Sequence, residues 1–549
     1  MKIAIGGLVL IVVLVGFIFA LPFLVDLNKY QDEYKPLIEE ALNRKVQLQD
    51  IRLTIWPRIG ARVAGVAVLD DPAFGSGPFA SLSSLDVGVK LMPLLSGKVE
   101  VEEITLRDPV ITVVKNKNGV LNVATIGKPG KAAPTAPSRA PIPSTEGPLK
   151  ILALLAVDQV SIAGGKLTYR DLSAAKPGEY VLQDFDLRLQ SVRLGQIPRL
   201  HLDTVVQPLN LSVRLDGTFG PLKETADIDA INFLLALGKT EFTVTGKVSG
   251  QNATVNIGSP VINTANLPMT LPLAKPVEIK NVQIAAEVKG PEAKLSNLSL
   301  QLFGGQVKGQ AKLVTGSDAP PFTSSLTMQG VQLGPALDAV ATTKLSVSGT
   351  AGADLSLQGR GFSMPDLTKA LEGMGHIGVK EGKVEGVNLL QEALAILKVV
   401  GLSLGDPKAT VFSTIETDLV IKQGIVTVQR LLMDSHDFQA TGGGTIGFDQ
   451  RLNLAVRLNL SRDVSQKIAG LSPVAKLALK DGRLSLPLTI GGTVQQPTYG
   501  LDMKGVTGAV QEQVKKKAEE AIGGLLKGTT KPQDLQREGR DLLKGLMGR

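Results

Sequence analysis

From Val46 onward the chain alternates apolar and polar residues with a period of two. Leu48, Ile51, Leu53 and Ile55 lead to Trp56-Pro57, and 64–69 runs into the turn at 70–72. Strands are expected at 82–91, 99–106 and 110–114, separated by turns at 95–97, 107–109 and 116–119. Further on, Phe242, Val244 and Val248 alternate with Thr243, Thr245 and Lys247. Leu345, Val347, Leu355 and Leu357 share one face, with Ser346, Ser348, Asp354 and Ser356 opposite. Leu452, Leu454 and Val456 alternate with Asn453 and Arg457, and Leu484, Leu486, Leu488 and Ile490 continue the pattern. Strict alternation predicts a sheet with one apolar and one wet face. Pro487 cannot donate to a ladder, so its strand is expected at an edge or a bulge.

Helical spacing is confined to a few places. Residues 28–45 predict an amphipathic helix, broken or restarted by Pro36, that seats the body against a membrane surface. Helices are also expected at 364–374, opened by Pro365, and at 387–400, where Leu389, Leu390, Ala393, Leu394 and Leu397 form a stripe. The tail 506–549 reads as a basic amphipathic helix that lies on an anionic membrane, binds a partner or packs on its own sheet.

The first 25 residues differ from all of this. The stretch 3–25 holds no charged residue and, with Ile3, Leu8, Val12, Phe17, Phe23 and Val25 along it, is long enough to cross a hydrocarbon core of roughly 30 Å. It predicts a transmembrane anchor. A cleaved signal peptide is the alternative, but its apolar core usually runs only ~7–15 residues and ends in small residues, which 21–25 lacks. The Pro-, Ala- and Gly-rich run 127–148 has no apolar period and predicts an extended linker.

Composition narrows the class. The 549 residues are 43% hydrophobic and only 4% aromatic, with 59 Gly, which suits many short strands joined by tight turns. The net charge of +8 is scattered, without the basic blocks and interleaved aromatics of a nucleic-acid binder. The absence of cysteine excludes disulfides and thiolate chemistry. Lys2 lies before the apolar stretch, and Lys29, Lys35, Arg44 and Lys45 follow it, so a charge count alone would leave the body in the cytoplasm.

Catalytic signals are weak. His201, His376 and His436 are far apart and lack ligand spacing. Gly401-Leu-Ser403-Leu-Gly405 spells a nucleophile-elbow motif, but with a helix before it and a strand after it, the reverse of what an elbow needs. Gly442–Gly447 spells G-x-G-x-x-G but runs into a strand, so a Gly-rich bend is expected there. No catalytic, cofactor or metal residue is assigned.

Several segments together carry a resemblance. Pro22-Phe23, Asn28-Lys-Tyr30, Leu37-Ile38, Arg44, Pro57, 71–74, 91–95, 106–109 and Asn118-Gly119 with Asn122 are followed, in the C-terminal third, by 382–386, 421–424, 442–447 and 486–492. In these the chain resembles the AsmA family of bacterial envelope proteins, most securely over 1–125 and 375–505; Val123 stands where relatives often have an aromatic. The resemblance implies a mainly β (α+β) protein. A transmembrane helix (1–25) would precede an N-terminal α+β region (26–125), a linker (126–148), a β-rich groove region (149–370), a C-terminal β region (371–505) and the tail. It implies a long curled antiparallel sheet forming a groove, related to bridge-like lipid-transfer proteins. It also implies an inner-membrane anchor with the body in the periplasm of a diderm bacterium, and a part in phospholipid movement toward the outer membrane.

Phe242, Val244, Leu345, Val347, Leu355, Leu357, Leu452, Leu454 and Val456 are the candidate lipid-facing residues. The expected partners are the inner membrane, phospholipid and the outer membrane or other envelope proteins, with no nucleic acid and no cofactor. The alternative is a two-sheet scaffold with a dry core that holds other envelope proteins. Whether the apolar face is open or covered by a second sheet separates the two readings.

Overall fold

The computed structural model describes residues 26–127, 157–267, 271–340, 346–396, 408–471 and 479–501, without 57, 76, 174–177, 224, 226, 272 and 318. The apolar stretch 3–25, the linker beyond 127, Leu345, the 401–405 motif and the basic tail lie outside these residues. Among the described residues no helix is long and apolar enough to cross a membrane. The chain divides into two compact units, 1–262 with 266–270, and 263–265 with 271–549.

The first unit contains β1 (Val46–Gln47), β2 (Asp50–Thr54), β3 (Gly60–Leu69), β4 (Pro78–Val89), β5 (Val101–Arg107) and β6 (Val110–Lys115). Beyond the linker come β7 (Val157–Asp171), β8 (Gly178–Val192), β9 (Arg199–Gln207), β10 (Leu211–Gly220), β11 (Ile228–Leu237), β12 (Thr240–Ser249) and β13 (Asn252–Asn263). Strand pairs are antiparallel, as alternation with short turns predicts, β1 and β2 both lying against β3, and one exception corrects the all-antiparallel expectation. Strands β5 and β6 lie in line, both antiparallel to β4, and both run parallel to β7: Glu103 pairs with Gln159 and Lys115 with Asp171. Parallel neighbours cannot be joined by a hairpin and need a connection of roughly a dozen residues or more. The Pro/Ala-rich segment supplies that connection.

The N-terminal block packs on this sheet through polar side chains. A 3-10 turn at Leu27–Tyr30 leads into α1 (Gln31–Leu42). Pro36 sits inside α1 and does not break it. It is exposed, so the carbonyl that loses its N–H partner can face water. The Asn28 amide donates to Asp50 Oδ1 at 2.8 Å, and Asn28 Oδ1 accepts the Ile51 N–H at 2.9 Å. Arg44 is buried, donates to the carbonyls of Asn122 and Thr125, and lies 3.9 Å from the buried Asp70 carboxylate. Asn122 closes the network by donating to Asp70 Oδ2 at 2.7 Å and accepting the Val114 N–H. The resemblance residues Asn28, Arg44 and Asn122 are therefore packing and capping positions.

The second unit contains β14 (Glu278–Lys289), β15 (Glu292–Leu302), β16 (Gly305–Val314), β17 (Pro321–Gln332), β18 (Val347–Arg360) and β19 (Glu372–Glu385). It continues with β20 (Ala409–Lys422), β21 (Ile425–Asp434), β22 (Phe438–Gly447), β23 (Leu452–Leu460), β24 (Ser485–Gly492) and β25 (Pro497–Leu501), an unbroken antiparallel succession. The helices between strands are α3 (Leu333–Val340), α4 (Met364–Ala370), α5 (Leu389–Ile396) and α6 (Arg462–Leu471), α2 (Leu91–Leu95) belonging to the first unit.

Three expectations change in detail. Helix α4, capped by Ser363 with Pro365 in its first turn, ends at Ala370, and Met374 already belongs to β19. Gly442–Gly447 form the body of β22 and not a bend. A Cβ at Gly442 would lie 2.2 Å from the Ala455 carbonyl oxygen, so the close approach of β23 requires glycine there. Pro487 pairs with Arg457 on β23 and falls just before the β24–β25 ladder begins at Leu488, so on the β25 side it occupies a local edge.

Candidate functional site

Residues paired across a ladder point to the same face of a sheet. The register therefore decides whether the alternation in separate strands adds up to a surface. In the first unit it does. Ile51 pairs with Val63, Val63 with Leu85, Leu85 with Leu106, Leu106 with Ile162 and Ile162 with Leu187. The row continues through Leu202, Leu215 and Leu235 to Phe242. A second row, two residues along, runs from Leu53 through Val160, Leu200 and Phe233 to Val244 and Ile257. The parallel ladders at β7 carry the rows across the linker without a change of face.

The second unit repeats the device. Ile284, Leu298, Gly309, Leu326, Leu355 and Gly375 are successive partners, followed by Leu419, Val428, Gly444, Leu454, Ile490 and Tyr499. At ~4.8 Å between strands this row has a contour of about 50 Å. At Gly375, Leu355 fills the missing side chain's place: a Cβ there would lie 2.3 Å from Leu355 Cδ2. Large apolar side chains leaning over glycine keep the face continuous.

The opposite face is polar along the same ladders. Gln283, Ser299, Lys308, Thr327, Asp354, His376, Asp418 and Arg430 form the adjacent row. His376 Nδ1 lies 2.8 Å from Asp418 Oδ1, and this bond, with Arg430 alongside, holds the Asp418 carboxyl below the usual carboxylate range. His201 stands likewise between Asp203 and Asp216. These are polar partners held together on the wet face of the sheet. Among the described residues no group of three or more His, Asp or Glu side chains could hold a metal ion.

Cover separates the apolar face of the second unit into two parts. Along β23, Leu454 is half-buried, Val456 is 5% exposed, and Leu458 and Leu460 are fully buried. The buried end packs Leu390, Ala393 and Leu394 of α5 and Val464 and Ile468 of α6 against Val379, Met433, Ala440 and Leu486. Where the row meets α5, burial raises the Tyr499 phenol above its ordinary pKa, and the Glu392 carboxylate adds to it. Away from the helices, Leu298, Leu326, Leu355 and Leu419 are only half-buried, and Leu454 is half-buried at the margin of the helix-covered cluster. Among the described residues, strands approach one another closely only as ladder neighbours. In the first unit the rows are half-buried in the same way, with a small buried cluster of Leu189, Val192, Phe219 and Leu222 at one end.

The candidates from sequence distribute accordingly. Phe242 and Val244 lie in the two rows of the first unit, while Leu355 and Leu454 share one row of the second. Leu357 and Leu452 lie one row further out, Val347 pairs with Val384 toward the other end of β18, and Val456 enters the helix-covered core. Row members such as Leu215, Leu326 and Leu419 were not singled out. Their strands alternate too, but only the register shows that they continue the same surface.

The sequence model of the AsmA family matches residues 1–270 and 273–431. No curated protein and no solved structure matches the chain.

Proposed function

The chain belongs to the AsmA family, and from that premise we propose that its apolar sheet face holds or conducts phospholipid acyl chains while headgroups stay in water. The observation that carries the reading is the continuous row of Leu, Ile and Val side chains that stay half-buried across successive strands. An apolar face of this extent needs a cover. Acyl chains supply one at ~0.8 kcal/mol per buried CH₂. The face carries almost no hydrogen-bonding groups, which suits mobile chains better than a single oriented small ligand. In this reading the protein is non-enzymatic, held in the inner membrane by the apolar stretch 3–25, with its body in the periplasm and a role in outer-membrane lipid homeostasis.

A photo-crosslinking residue placed at Leu355 or Leu454 in cells labelled with radiophosphorus tests the reading. Labelled phospholipid adducts are expected at both sites and absent at Arg457 on the wet face and at Leu458 under the helices. Protein adducts at Leu355 and Leu454, without lipid, would instead establish the scaffold reading.

A further inference from the structure

One end of the first unit carries apolar side chains that the rows do not use. The β2–β3 turn holds Trp56, 82% exposed and the only tryptophan in the chain. Beside it, where the Val89 N–H bonds the Ile59 carbonyl, β4 passes into α2. That five-residue helix buries nothing: Met92 is 75% and Leu95 72% exposed, and Val99 after it is 72% exposed. Single exposed apolar residues are ordinary, but a tryptophan grouped with several of them at one end of a sheet is a recognition surface.

The course of the chain says what it faces. Asn28 is held at the level of Asp50, and Lys45 accepts the Leu69 N–H at the other end of β3. Helix α1 therefore runs away from the Trp56 end, and Asp26, which caps the turn ahead of it, stands at the end of α1 nearer Trp56. Asp50 and Trp56 are at most about 20 Å apart along β2. The charge-free stretch 3–25 ends directly before Asp26.

We propose that Trp56 and α2 form a bilayer-docking surface, seated on the interface of the membrane that the 3–25 stretch enters. The proposal rests on the anchor and lipid-holding reading and deepens it. Docking at this end brings the bilayer next to Leu53 and Val87, where an apolar row reaches the ends of its strands. Acyl chains would then pass from the membrane onto the sheet beside Trp56.

Because Trp56 is the sole tryptophan, its fluorescence in the full chain reports on docking directly. The chain is reconstituted into phosphatidylethanolamine–phosphatidylglycerol vesicles, with and without lipid brominated near the headgroup. Blue-shifted emission, several-fold quenching by the bromolipid and protection from aqueous iodide are expected. The combined changes Leu91→Asp, Met92→Asp and Leu95→Asp, all at exposed positions, should abolish the quenching. Water-like emission with full access to iodide in the unaltered protein would overturn the proposal. Adduct formation at Leu355 and Leu454 is read separately: its loss with quenching intact breaks the lipid-holding reading and leaves docking standing.

Discussion

Leu454 and Leu458 stand on the same strand and the same face, four residues apart, yet they belong to different environments. Leu458 is sealed beneath α5 and α6, while Leu454 is only half-buried, at the margin of that cluster and in the row that leads away from it. The two ends of one apolar face thus do different work. The helix-covered end is a conventional core that holds the sheet, and the other end keeps its apolar side chains half-buried. Apolar alternation alone cannot separate them, since both leucines belong to the same unbroken pattern.

That contrast can be broken by mutation. Leu458→Ala should cost about 2–5 kcal/mol, because it leaves a cavity in a packed site that relaxes only in part. Leu454→Ala should cost under about 1.5 kcal/mol, because its side chain is not enclosed. Urea unfolding of the two variants compares them, and equal losses would show that the open end is covered after all. Arg44→Ala tests the N-terminal network and is expected to cost about 3–5 kcal/mol, because it leaves the buried Asp70 carboxylate without its cation. Arg44→Lys should recover only part of this, since lysine cannot serve two carbonyls and a carboxylate in Arg44's fork geometry.

Function should move the other way. Leu355→Asp with Leu419→Asp is expected to abolish lipid adducts at Leu454 and to shift the thermal midpoint by only a few degrees. A similar loss of adducts from Leu458→Asp with the fold intact would erase the distinction between the two ends. Gly442→Ala should cost about 1–3 kcal/mol by pressing its methyl against the β23 backbone. The wet face gives the smallest effect. The Asp418 carboxyl is depressed in the fold, so its contribution is present above the unfolded pKa and lost as pH falls through the folded value. Asp418→Asn should therefore flatten the acid limb of the stability profile and leave lipid adducts at neutral pH unchanged.

Much of this was legible residue by residue. The alternation of Leu452, Leu454 and Val456 named the strand and its two faces, and the Leu389–Leu394 stripe named a helix. Asn28, Arg44 and Asn122 marked the family, although their spacing gave no hint that they meet around Asp70. The parallel ladders of β5 and β6 with β7 were not legible, because strand direction depends on the path of the linker and not on any residue in the strands. Nor was the Pro36 outcome, since an exposed helix tolerates the lost hydrogen bond that a buried one would not.

By itself the sequence determined the mainly β class, the apolar and wet faces of each strand, the positions of most turns and the family. These follow from local chemistry: period, turn residues and charge. Tertiary structure alone decided that Phe242 continues a line begun at Ile51, and that Leu355 and Leu454 share a row while Val456 passes under a helix. A strand's period determines which way each side chain points, but only hydrogen-bonded register determines which side chains stand beside one another, and only packing determines what covers them.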